Sequence, residues 1–337
     1  MGVNLKPLTE PHERTWNDLR HRSVAIDAYN ALHQFLSIIR QRDGTPLKDA
    51  KGRVTSHLTG LFYRTANLIE RGIRPVYVFD GEPHELKQDT LDVRQARKKQ
   101  AKQDWQAARE RGDLEEAKKK AQQTSTLTWD RVIEAQQLLD ALGIPYLEAP
   151  GEGEAQASHM CRQGDVDYTG SQDFDCLLFG APQLLRNLTI SGRRKLPGKQ
   201  KWVQISPETI ALTELLETHD ITREQLVDVA ILMGTDFNDG IKGIGPKTGL
   251  KLVKKHGDIE SIERDIEPIE HLDDIRSIFL EPEVTDDYTL EWQPVDTDAT
   301  RAYLCGEHQF SRERVDSTLD KFQGFAETLD QKNLFDF

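Results

Sequence analysis

Seven acidic side chains occur where the local sequence predicts the start of a helix. Each follows a strand-like or tightly turned segment that contains Gly, Ser or Pro. The seven acids are Asp27, Asp80, Glu152, Glu154, Asp173, Asp175 and Asp236. Helix capping explains any one of them alone, because a carboxylate at a helix start accepts backbone N–H bonds and complements the helix dipole. Two of the segments, however, carry two acids separated by one residue, which is more than one cap requires.

Several carboxylates in one cleft are unfavourable unless cations bind them. Two unit charges ~4 Å apart repel by about 4 kcal/mol at an effective dielectric constant of 20. Oxygen ligands select Mg²⁺ or Mn²⁺, and two such ions ~4 Å apart can activate water and stabilise the leaving oxygen of a phosphodiester. The sequence has no His/Cys cluster of the zinc type and no GxxxxGK[ST] loop. The acids therefore predict a divalent-metal site suited to phosphodiester hydrolysis.

Short apolar segments that end in an acid predict the elements that position these carboxylates. Ser23–Asp27 is such a segment and precedes the helical pattern Ala28–Arg40, and Pro75–Asp80 repeats the arrangement. Further strand and helix candidates are Pro145–Leu147, Val166–Thr169, Trp129–Leu142 and Glu152–Arg162. Alternating strands and helices predict an α/β fold with a parallel sheet covered on both faces. Sites in such sheets lie beyond the carboxyl ends of the strands.

The segment Leu86–Gln123 breaks this alternation. It is long, charged and nearly free of large apolar residues, and Gly112 interrupts it. A helix that is polar on all sides cannot be buried in a core, and a solvated helical hairpin is the simplest interpretation. Basic residues outnumber acidic ones here, although the chain has 57 acidic and 44 basic residues and a net charge of −13. A local basic cluster attracts a polyanion even when the whole chain is acidic.

The cysteines and the absence of long apolar runs bear on the compartment. Cys161, Cys176 and Cys305 form no CxxC pair, which favours a reducing environment without disulfides or a zinc site. No apolar run approaches membrane-spanning length, and the first residues contain no apolar signal core. These features predict a cytoplasmic protein without a targeting signal, associated with the nucleoid if it acts on DNA.

Eight sequence blocks resemble those of flap structure-specific endonucleases of the archaeal type. The blocks are IDAYNALHQFLSIIRQRDGTPL, GRVTSHLTGLFYRT, RPVYVFDGEP, APGEGEAQA, SQDFDCLLFGAP, RNLTISGRRKLPGK, GTDFNDGIKGIGPKTGLKL and QKNLFDF. Together they extend over almost the whole chain. The resemblance implies a PIN-like nuclease fold with a mostly parallel central sheet, a helical arch and a helix-hairpin-helix region of the H2TH type.

The resemblance also implies how the chain is divided. A single nuclease domain is expected over residues 1–330, followed by a clamp-binding tail at 331–337. Within the domain, the expected parts are an N-terminal nuclease region at 1–100, a helical arch at 86–128, an internal nuclease region at 129–258 and a helix-hairpin-helix region at 236–258.

Carried over residue by residue, the resemblance assigns the seven acids to two metal ions. Those expected mainly at one ion are Asp27, Asp80, Glu152 and Glu154. Those expected mainly at the other are Asp173, Asp175 and Asp236, with Glu154 as a candidate bridge. Lys87 and Arg94 match the basic pair at the base of the arch, for which the family implies a catalytic role. Their seven-residue spacing is two helical turns, so one helix face can hold the scissile phosphate.

Substrate contacts are implied at Gly2, His33, Gly243, Gly245 and Lys247. Gly2 resembles the residue whose free amino group lies near the site once Met1 is removed. The turn Gly243–Lys247 exposes backbone N–H groups towards a phosphate, and the family places a monovalent cation, such as K⁺, there. His33 stands where the family usually has Tyr. Because free imidazole titrates near pH 6.5, His33 predicts weakly pH-sensitive flap handling.

The implied activity is cleavage of branched DNA at single-strand/double-strand junctions. It combines 5′ flap endonuclease and 5′–3′ exonuclease action, uses two Mg²⁺ ions that Mn²⁺ can replace, and serves Okazaki-fragment maturation and base-excision repair. Expected partners of the monomer are 5′ flaps, nicked or gapped duplexes, and a sliding clamp (proliferating cell nuclear antigen). The clamp contact follows the spacing Q-x-x-h-x-x-aromatic at Gln331, Leu334 and Phe337.

Other functions fit the same residues less well. One alternative is a relative that acts chiefly as a 5′ exonuclease or as an excision-repair incision enzyme. A non-catalytic binder of branched DNA or of the clamp is another, although a binder has no need for seven mutually repelling acids. The third is a PIN-type RNase, which the helix-hairpin-helix region disfavours because that region suits duplex DNA.

Overall fold

Parallel strands that end in acids form the centre of the fold. The structure is a computed structural model that describes residues 2–188, 193–195, 202–262 and 268–332. The strands are β1 (His12–Glu13), β2 (Ser23–Asp27), β3 (Arg74–Phe79), β4 (Tyr146–Glu148), β5 (Tyr168–Gly170), β6 (Gln183–Arg186), β7 (Arg193–Lys195), β8 (Trp202–Gln204) and β9 (Glu208–Ala211). Over the described residues, seven strands form the main sheet in the order β1-β9-β6-β5-β2-β3-β4, and β7 pairs with β8.

The strand directions confirm the predicted mostly parallel sheet. The pairs β6/β5, β5/β2, β2/β3 and β3/β4 are parallel, whereas β9 is antiparallel to both β6 and β1. β2 has its predicted bounds. β3 begins one residue earlier than the sequence indicated, β4 begins one residue later and β5 begins two residues later. Because the strands are parallel, the carboxyl ends of β2, β3 and β5 meet at one edge of the sheet.

Helices cover both faces of this sheet. They are α1 (Ala28–Ile38), α2 (Ser56–Glu70), α3 (Gln88–Glu110), α4 (Leu114–Gln122), α5 (Trp129–Leu142), α6 (Gly153–Gln163), α7 (Asp175–Leu178), α8 (Leu212–His219), α9 (Arg223–Met233), α10 (Pro246–His256), α11 (Ile259–Ile262), α12 (Leu272–Leu280), α13 (Thr297–Arg301) and α14 (Arg312–Lys332). Short 3₁₀ turns span Lys6–Leu8 and Glu85–Lys87, and a π-helical turn spans Ala302–Glu307. Within the described part of the chain, no helix is long and apolar enough to cross a membrane.

The central strand β2 shows why its sequence is apolar throughout. Val24 and Ile26 pack in the cluster that contains residues of α1, α2 and α5, whereas Ala25 packs with residues of α6 on the other face. All five residues of β2 are buried. Burying a Val or Ile side chain contributes about 1.5–3 kcal/mol, so a strand between two helical layers favours apolar residues at every position.

The charged segment Leu86–Gln123 forms a helical hairpin, which is called the arch here. Gly112 has φ of 74°, a left-handed conformation that glycine adopts without strain, and it turns the chain from α3 into α4. Ala108, Ala117 and Ala121 are fully buried. The two helices therefore pack through alanines, and the hairpin holds together without large apolar side chains.

Glycines shape the connection between α9 and α10. Gly234, Gly240 and Gly243 have φ of 94°, 69° and 90°, respectively, and this conformation strains any residue with a Cβ. Pro246 begins α10, where its missing N–H leaves no helical bond unmade. The connection brings α9 and α10 side by side, so the helical hairpin includes α9, which lies before the range 236–258 that the resemblance implied for the helix-hairpin-helix region.

Candidate active site

Asp27 and Asp80 lie where β2 and β3 end. Asp27 caps α1, since its Oδ1 accepts a bond from the backbone N–H of Asn30 at 3.0 Å. Asp80 Oδ1 accepts a bond from the backbone N–H of Gly153 at 2.7 Å. A Cβ on Gly153 would lie 2.7 Å from that oxygen, so only glycine fits between the two acids of its segment. This contact brings the start of α6, with Glu152, to the end of β3.

Hydrogen bonds link the remaining acids into the same cleft. Ser171 Oγ donates to Glu154 Oε1 at 2.6 Å and accepts from the backbone N–H of Asp173 at 3.1 Å. Asn30 Nδ2 donates to Asp173 Oδ2 at 2.9 Å. The turn after β5 is therefore tied both to α6 and to α1, and it carries Asp173 and Asp175.

Burial and mutual repulsion raise the pKa values of the acids at the ends of β2 and β3. Burial, followed by repulsion from Asp80, raises the pKa of Asp27 well above its usual value. Burial, followed by repulsion from Glu152, raises the pKa of Asp80 to about 6. The charge of each carboxylate thus raises the pKa of its neighbour, as expected for acids that share one cleft.

The acids on α6 and the β5 turn behave in the same way. Burial, followed by repulsion from Asp27, raises the pKa of Glu154 well above its usual value. Burial, followed by repulsion from Asp173, raises the pKa of Asp175 to about 7, and Asp236 adds to this repulsion. All seven predicted acids are consequently connected through one network of charges.

The two predicted cations of the arch base face this cleft. Lys87, in the 3₁₀ turn before α3, donates from Nζ to Glu152 Oε2 at 2.5 Å. Arg94, in α3, donates from Nη2 to Asp236 Oδ1 at 2.6 Å. Thr90 Oγ1 also donates to the carbonyl oxygen of Asp236 at 2.8 Å. The arch base is therefore bound to the acids through two ion pairs.

The donor set of the cleft suits an oxygen-preferring divalent cation. Within the described ranges, no group of three or more His, Cys, Asp or Glu side chains already converges in a ligating arrangement. Lys87 and Arg94 hold two of the carboxylates, those of Glu152 and Asp236. All seven groups are carboxylates, whose negative charges repel one another. A bound divalent cation offsets this repulsion.

Gly2 lies against Asp175. The backbone N–H of Val3 donates to Asp175 Oδ1 at 2.7 Å, and a Cβ on Gly2 would lie 2.5 Å from the same oxygen. The structure thus places the N-terminal residues at the acid cleft, where the sequence resemblance expected them. Any larger residue at position 2 would displace the carboxylate of Asp175.

A basic cavity of about 870 Å³ lies under the arch. The basic side chains that line it are His33, Arg40, Lys48, Arg94, Lys98, Lys99, Lys102, Arg109 and Arg131. Trp105 also lines it and fixes α3 to the loop after α1, because its Nε1 donates to the carbonyl oxygen of Asp43 at 3.0 Å. Sequence reasoning missed Arg40, Lys48 and Arg131, since nothing in the local sequence shows that they share a cavity with α3.

The interpretation of His33 as a group that titrates near pH 6.5 was wrong. Burial, followed by repulsion from Lys98 and Arg94, lowers the pKa of His33 to about 4. The ring is therefore neutral throughout the range between pH 5.5 and 8. His33 lines the basic cavity, so its substrate contact stays a prediction, whereas the predicted pH sensitivity is wrong.

We expect the variant His33→Tyr to have the same pH–rate profile as the parent between pH 5.5 and 8. A neutral imidazole and a neutral phenol both lack charge in this range, so neither changes the attraction of the cavity for phosphate. Single-turnover flap cutting at half-unit pH intervals measures the profile. If the rate of the parent changes near pH 6.5 and the rate of the variant does not, the original interpretation would be correct.

The turn between α9 and α10 presents an exposed surface. Nothing lies within 4 Å of a Cβ placed on Gly243 or on Gly245, and Lys247 is exposed. Gly245 is the N-cap of α10, so the first N–H groups of this helix point out of the turn. The three predicted residues of this turn therefore lie together, on an element separate from the arch.

Comparison with known proteins decides the family. The XPG N-terminal domain matches residues 1–101, and the XPG I-region matches residues 143–236. The flap endonuclease 1 of Methanosarcina acetivorans is 48% identical over 98% of this chain and 99% of its own. The chain belongs to the flap endonuclease 1 family. This membership confirms the predicted class, a structure-specific DNA nuclease, and the flap endonucleases are a divalent-metal-dependent family.

Solved structures agree with the flap endonuclease fold. The flap endonuclease-1 from Methanococcus jannaschii is 41% identical, matches 97% of this chain and 99% of its own, and superposes with a TM-score of 0.77. The catalytic core of Rad2 in complex with DNA substrate is 24% identical over 93% of this chain and 96% of its own, with a TM-score of 0.69. The second likeness shows a shared fold. The roles of individual residues in this flap endonuclease stay predictions.

Proposed function

We propose that the chain cuts 5′ flaps and removes 5′ nucleotides from branched DNA by hydrolysis, leaving a 5′-phosphate and a 3′-hydroxyl. The observation that carries this proposal is the position of Arg94, which lines the basic cavity and pairs with Asp236 of the acid cleft. The cleft suits metal-assisted hydrolysis and the cavity suits a phosphate backbone. A strand held in the cavity therefore passes directly to the acids.

The acids would hold two Mg²⁺ ions, or Mn²⁺ in their place, which supply activation of water and stabilisation of the leaving oxygen. The chain's own cations act on the phosphate. Lys87 and Arg94 hold the scissile phosphate and stabilise the negative charge that develops on it. For this they exchange Glu152 and Asp236 for phosphate oxygens, so both ion pairs of the DNA-free protein break when the substrate binds.

Incubation with a labelled double-flap DNA, with and without Mg²⁺, tests the proposal. We expect Mg²⁺-dependent release of the flap by a cut at the junction, and no cut in an excess of chelator. A single strand of the same sequence tests whether cutting requires the junction. An RNA flap tests whether cutting requires DNA. Cutting that is independent of metal, or equal on the single strand and the double flap, would contradict the proposal.

The alternative functions predict different products from the same incubation. A 5′ exonuclease releases mononucleotides from a nicked duplex faster than it releases an intact flap. A non-catalytic binder shifts the double flap in a gel without cutting it, and a PIN-type RNase cuts only the RNA flap. The flap endonuclease function is favoured because the acid cleft and the two arch cations occur together.

We propose that the turn at Gly243 and Gly245 grips duplex DNA away from the cut, with K⁺ bound at the turn. Open space above both glycines allows a phosphate to approach the backbone. The exposed Lys247, at the start of α10, adds a positive charge next to the N–H groups of this helix.

Lys247→Ala is expected to weaken duplex binding and to flatten its salt dependence by roughly one unit of log–log slope. Binding measured between low and moderate KCl gives the slope. Lys254→Ala is the matched control on the same helix, because the ammonium of Lys254 already donates to the carbonyl oxygen of His219 at 2.5 Å. A slope that is unchanged by Lys247→Ala would remove this residue from the phosphate contacts.

We propose that the tail at residues 331–337 binds a sliding clamp. Residues 333–337 lie outside the described residues, so this proposal rests on the spacing of Gln331, Leu334 and Phe337 alone. Burial of a Leu or Phe side chain is worth about 1.5–3 kcal/mol, enough for a modest tether. A chain ending at Asp330 is expected to cut free flaps at the parental rate but to lose stimulation by the clamp. Equal clamp affinity of both proteins in calorimetry would place the contact elsewhere.

We propose that these activities of the protein serve Okazaki-fragment maturation and base-excision repair, where 5′ ends must be trimmed before ligation. We propose that it acts as a monomer at the nucleoid in the cytoplasm. The proposed division is a nuclease domain at 1–330, with the arch at 86–128 and the helix-hairpin-helix region at 236–258, followed by the tail.

A further inference from the structure

Arg186, the last residue of β6, contacts the turn that carries Asp173. Its Nη2 donates to the carbonyl oxygen of Gln172 at 3.2 Å, and its Cζ lies 4.2 Å from the centre of the Phe174 ring. Its Nη1 donates to Glu208 Oε1, in β9, at 2.9 Å. One guanidinium therefore binds the residues on both sides of Asp173 and anchors them to the neighbouring strand.

Two other contacts of this turn are of a different kind. Asn30 Nδ2 binds the carboxylate of Asp173, and the backbone N–H of Val3 binds the carboxylate of Asp175. Such bonds compete with a metal ion for the carboxylate oxygens. Arg186 instead holds a carbonyl group and a ring, so its contacts persist when the carboxylates take up an ion.

An arginine is an unfavourable residue for this position if only fold stability is considered. Its side chain is 15% exposed, and burial lowers the pKa of Arg186 although Glu208 opposes that effect. Its Nε is buried and has no hydrogen-bond partner among the described residues. A packed apolar side chain is often as stabilising as a buried ion pair, or more so. Stability of the fold alone therefore does not account for Arg186.

We propose that Arg186 is a positioning residue that fixes the turn at residues 171–175 so that Asp173 and Asp175 face the metal site before an ion arrives. The inference rests on the proposed function, because it takes these two acids as metal ligands. A turn that is already ordered removes the need for the ion to order its ligands. Residues that support metal ligands in this way typically change metal affinity or activity by about 10- to 100-fold when replaced.

Binding of Mn²⁺ to the DNA-free protein, measured by titration calorimetry, tests the inference directly. Arg186→Met keeps the length and apolar stem but removes the guanidinium, and we expect its Kd for Mn²⁺ to rise by about 10- to 100-fold. The Mg²⁺ concentration that gives half the maximal single-turnover rate should rise in parallel. Affinity for flap DNA without divalent metal should stay at the parental value, because Arg186 does not line the basic cavity.

Two further variants separate positioning from general stability. Arg223→Met is the matched control, since Arg223 is also half-buried and also holds a carbonyl oxygen, that of Leu280 at 2.8 Å, but contacts no acid of the cleft. We expect it to lower the melting temperature and to keep the parental Mn²⁺ affinity. Arg186→Lys keeps the charge but cannot bind Gln172 and Glu208 through two separate nitrogens. Its affinity for Mn²⁺ should lie between those of the parent and Arg186→Met.

If Arg186→Met does not fold, the comparison between Arg186→Lys and the parent carries the test. Parental Mn²⁺ affinity in the folded Arg186 variants would overturn the inference, as would an equal loss of affinity in Arg223→Met. The proposed function fails separately, because it is overturned by a parent that does not cut flaps in Mg²⁺, whatever the Mn²⁺ affinities are.

Discussion

Asp173→Asn is expected to abolish flap cutting while leaving the metal-free protein at least as stable as the parent. Removing a ligand charge from the metal site should cost several kcal/mol of transition-state stabilisation, or about 10³-fold in rate and more. Asparagine retains an oxygen that can accept the bond from Asn30 Nδ2, so the turn keeps this contact. Repulsion of Asp175 disappears with the charge, which favours the folded state. Single-turnover cutting and urea unfolding in chelator measure the two effects.

An acid at the opposite edge of the sheet gives the matched control. Asp167, before β5, accepts bonds from the backbone N–H of Ser23 at 2.7 Å and from Arg22 Nη1 at 2.8 Å. Although burial alone would raise it, these bonds hold the pKa of Asp167 below its usual value. Asp167→Asn should therefore lose stability and keep cutting. Parental cutting by Asp173→Asn, or a loss of cutting shared by Asp167→Asn, would contradict the metal-site assignment.

Burial, together with the same repulsion, determines the sign of a pH dependence in the metal-free protein. The folded-state pKa values of Asp80 and Asp175, about 6 and about 7, lie above the ordinary value of 3.8. Between pH 4 and 7 these two carboxyl groups thus bind more protons in the folded protein than in the unfolded chain, so their contribution to the free energy of unfolding falls as the pH rises. Saturating Mg²⁺ should reverse this loss near pH 7, and unfolding curves at several pH values in chelator and in Mg²⁺ will show it.

Lys87→Ala and Arg94→Ala are each expected to slow the chemical step by about 10²–10³, or on the order of 2.7–4 kcal/mol. Both side chains already point into the acid cleft through their ion pairs with Glu152 and Asp236. A phosphate drawn to the site replaces Glu152 and Asp236 as the partner of these two cations. Single-turnover rates at saturating enzyme and Mg²⁺ isolate this effect from DNA binding.

Lys102→Ala is the matched control for the arch cations. Lys102 lies on α3, as Arg94 does, and lines the basic cavity, but no ion pair connects it to the acid cleft within the described part of the chain. Its loss should weaken flap affinity and leave the single-turnover rate unchanged. If Lys87→Ala and Arg94→Ala instead reproduce the Lys102→Ala behaviour, these residues steer DNA and take no part in the chemical step.

Local sequence determined the elements and the chemistry of the site. The apolar run Ser23–Asp27 could be assigned as a buried strand, and Trp129–Leu142 as a helix, because both patterns depend only on neighbours along the chain. Asp27 and Asp80 could be placed at strand ends for the same reason, whereas Asp236 follows the helix α9. The flap endonuclease family could be inferred because the motif blocks extend over nearly the whole chain.

Tertiary structure decided which distant groups share an environment. Arg40, Lys48 and Arg131 come from three separate segments and meet only because the arch closes over them. The pKa of His33 is low because burial and two arch cations act on it, and neither effect is local in sequence. Arg186 could not be distinguished from any strand-end arginine until β6 was placed beside the turn of Asp173. Elements follow from short-range patterns, whereas burial and electrostatics depend on how those elements pack.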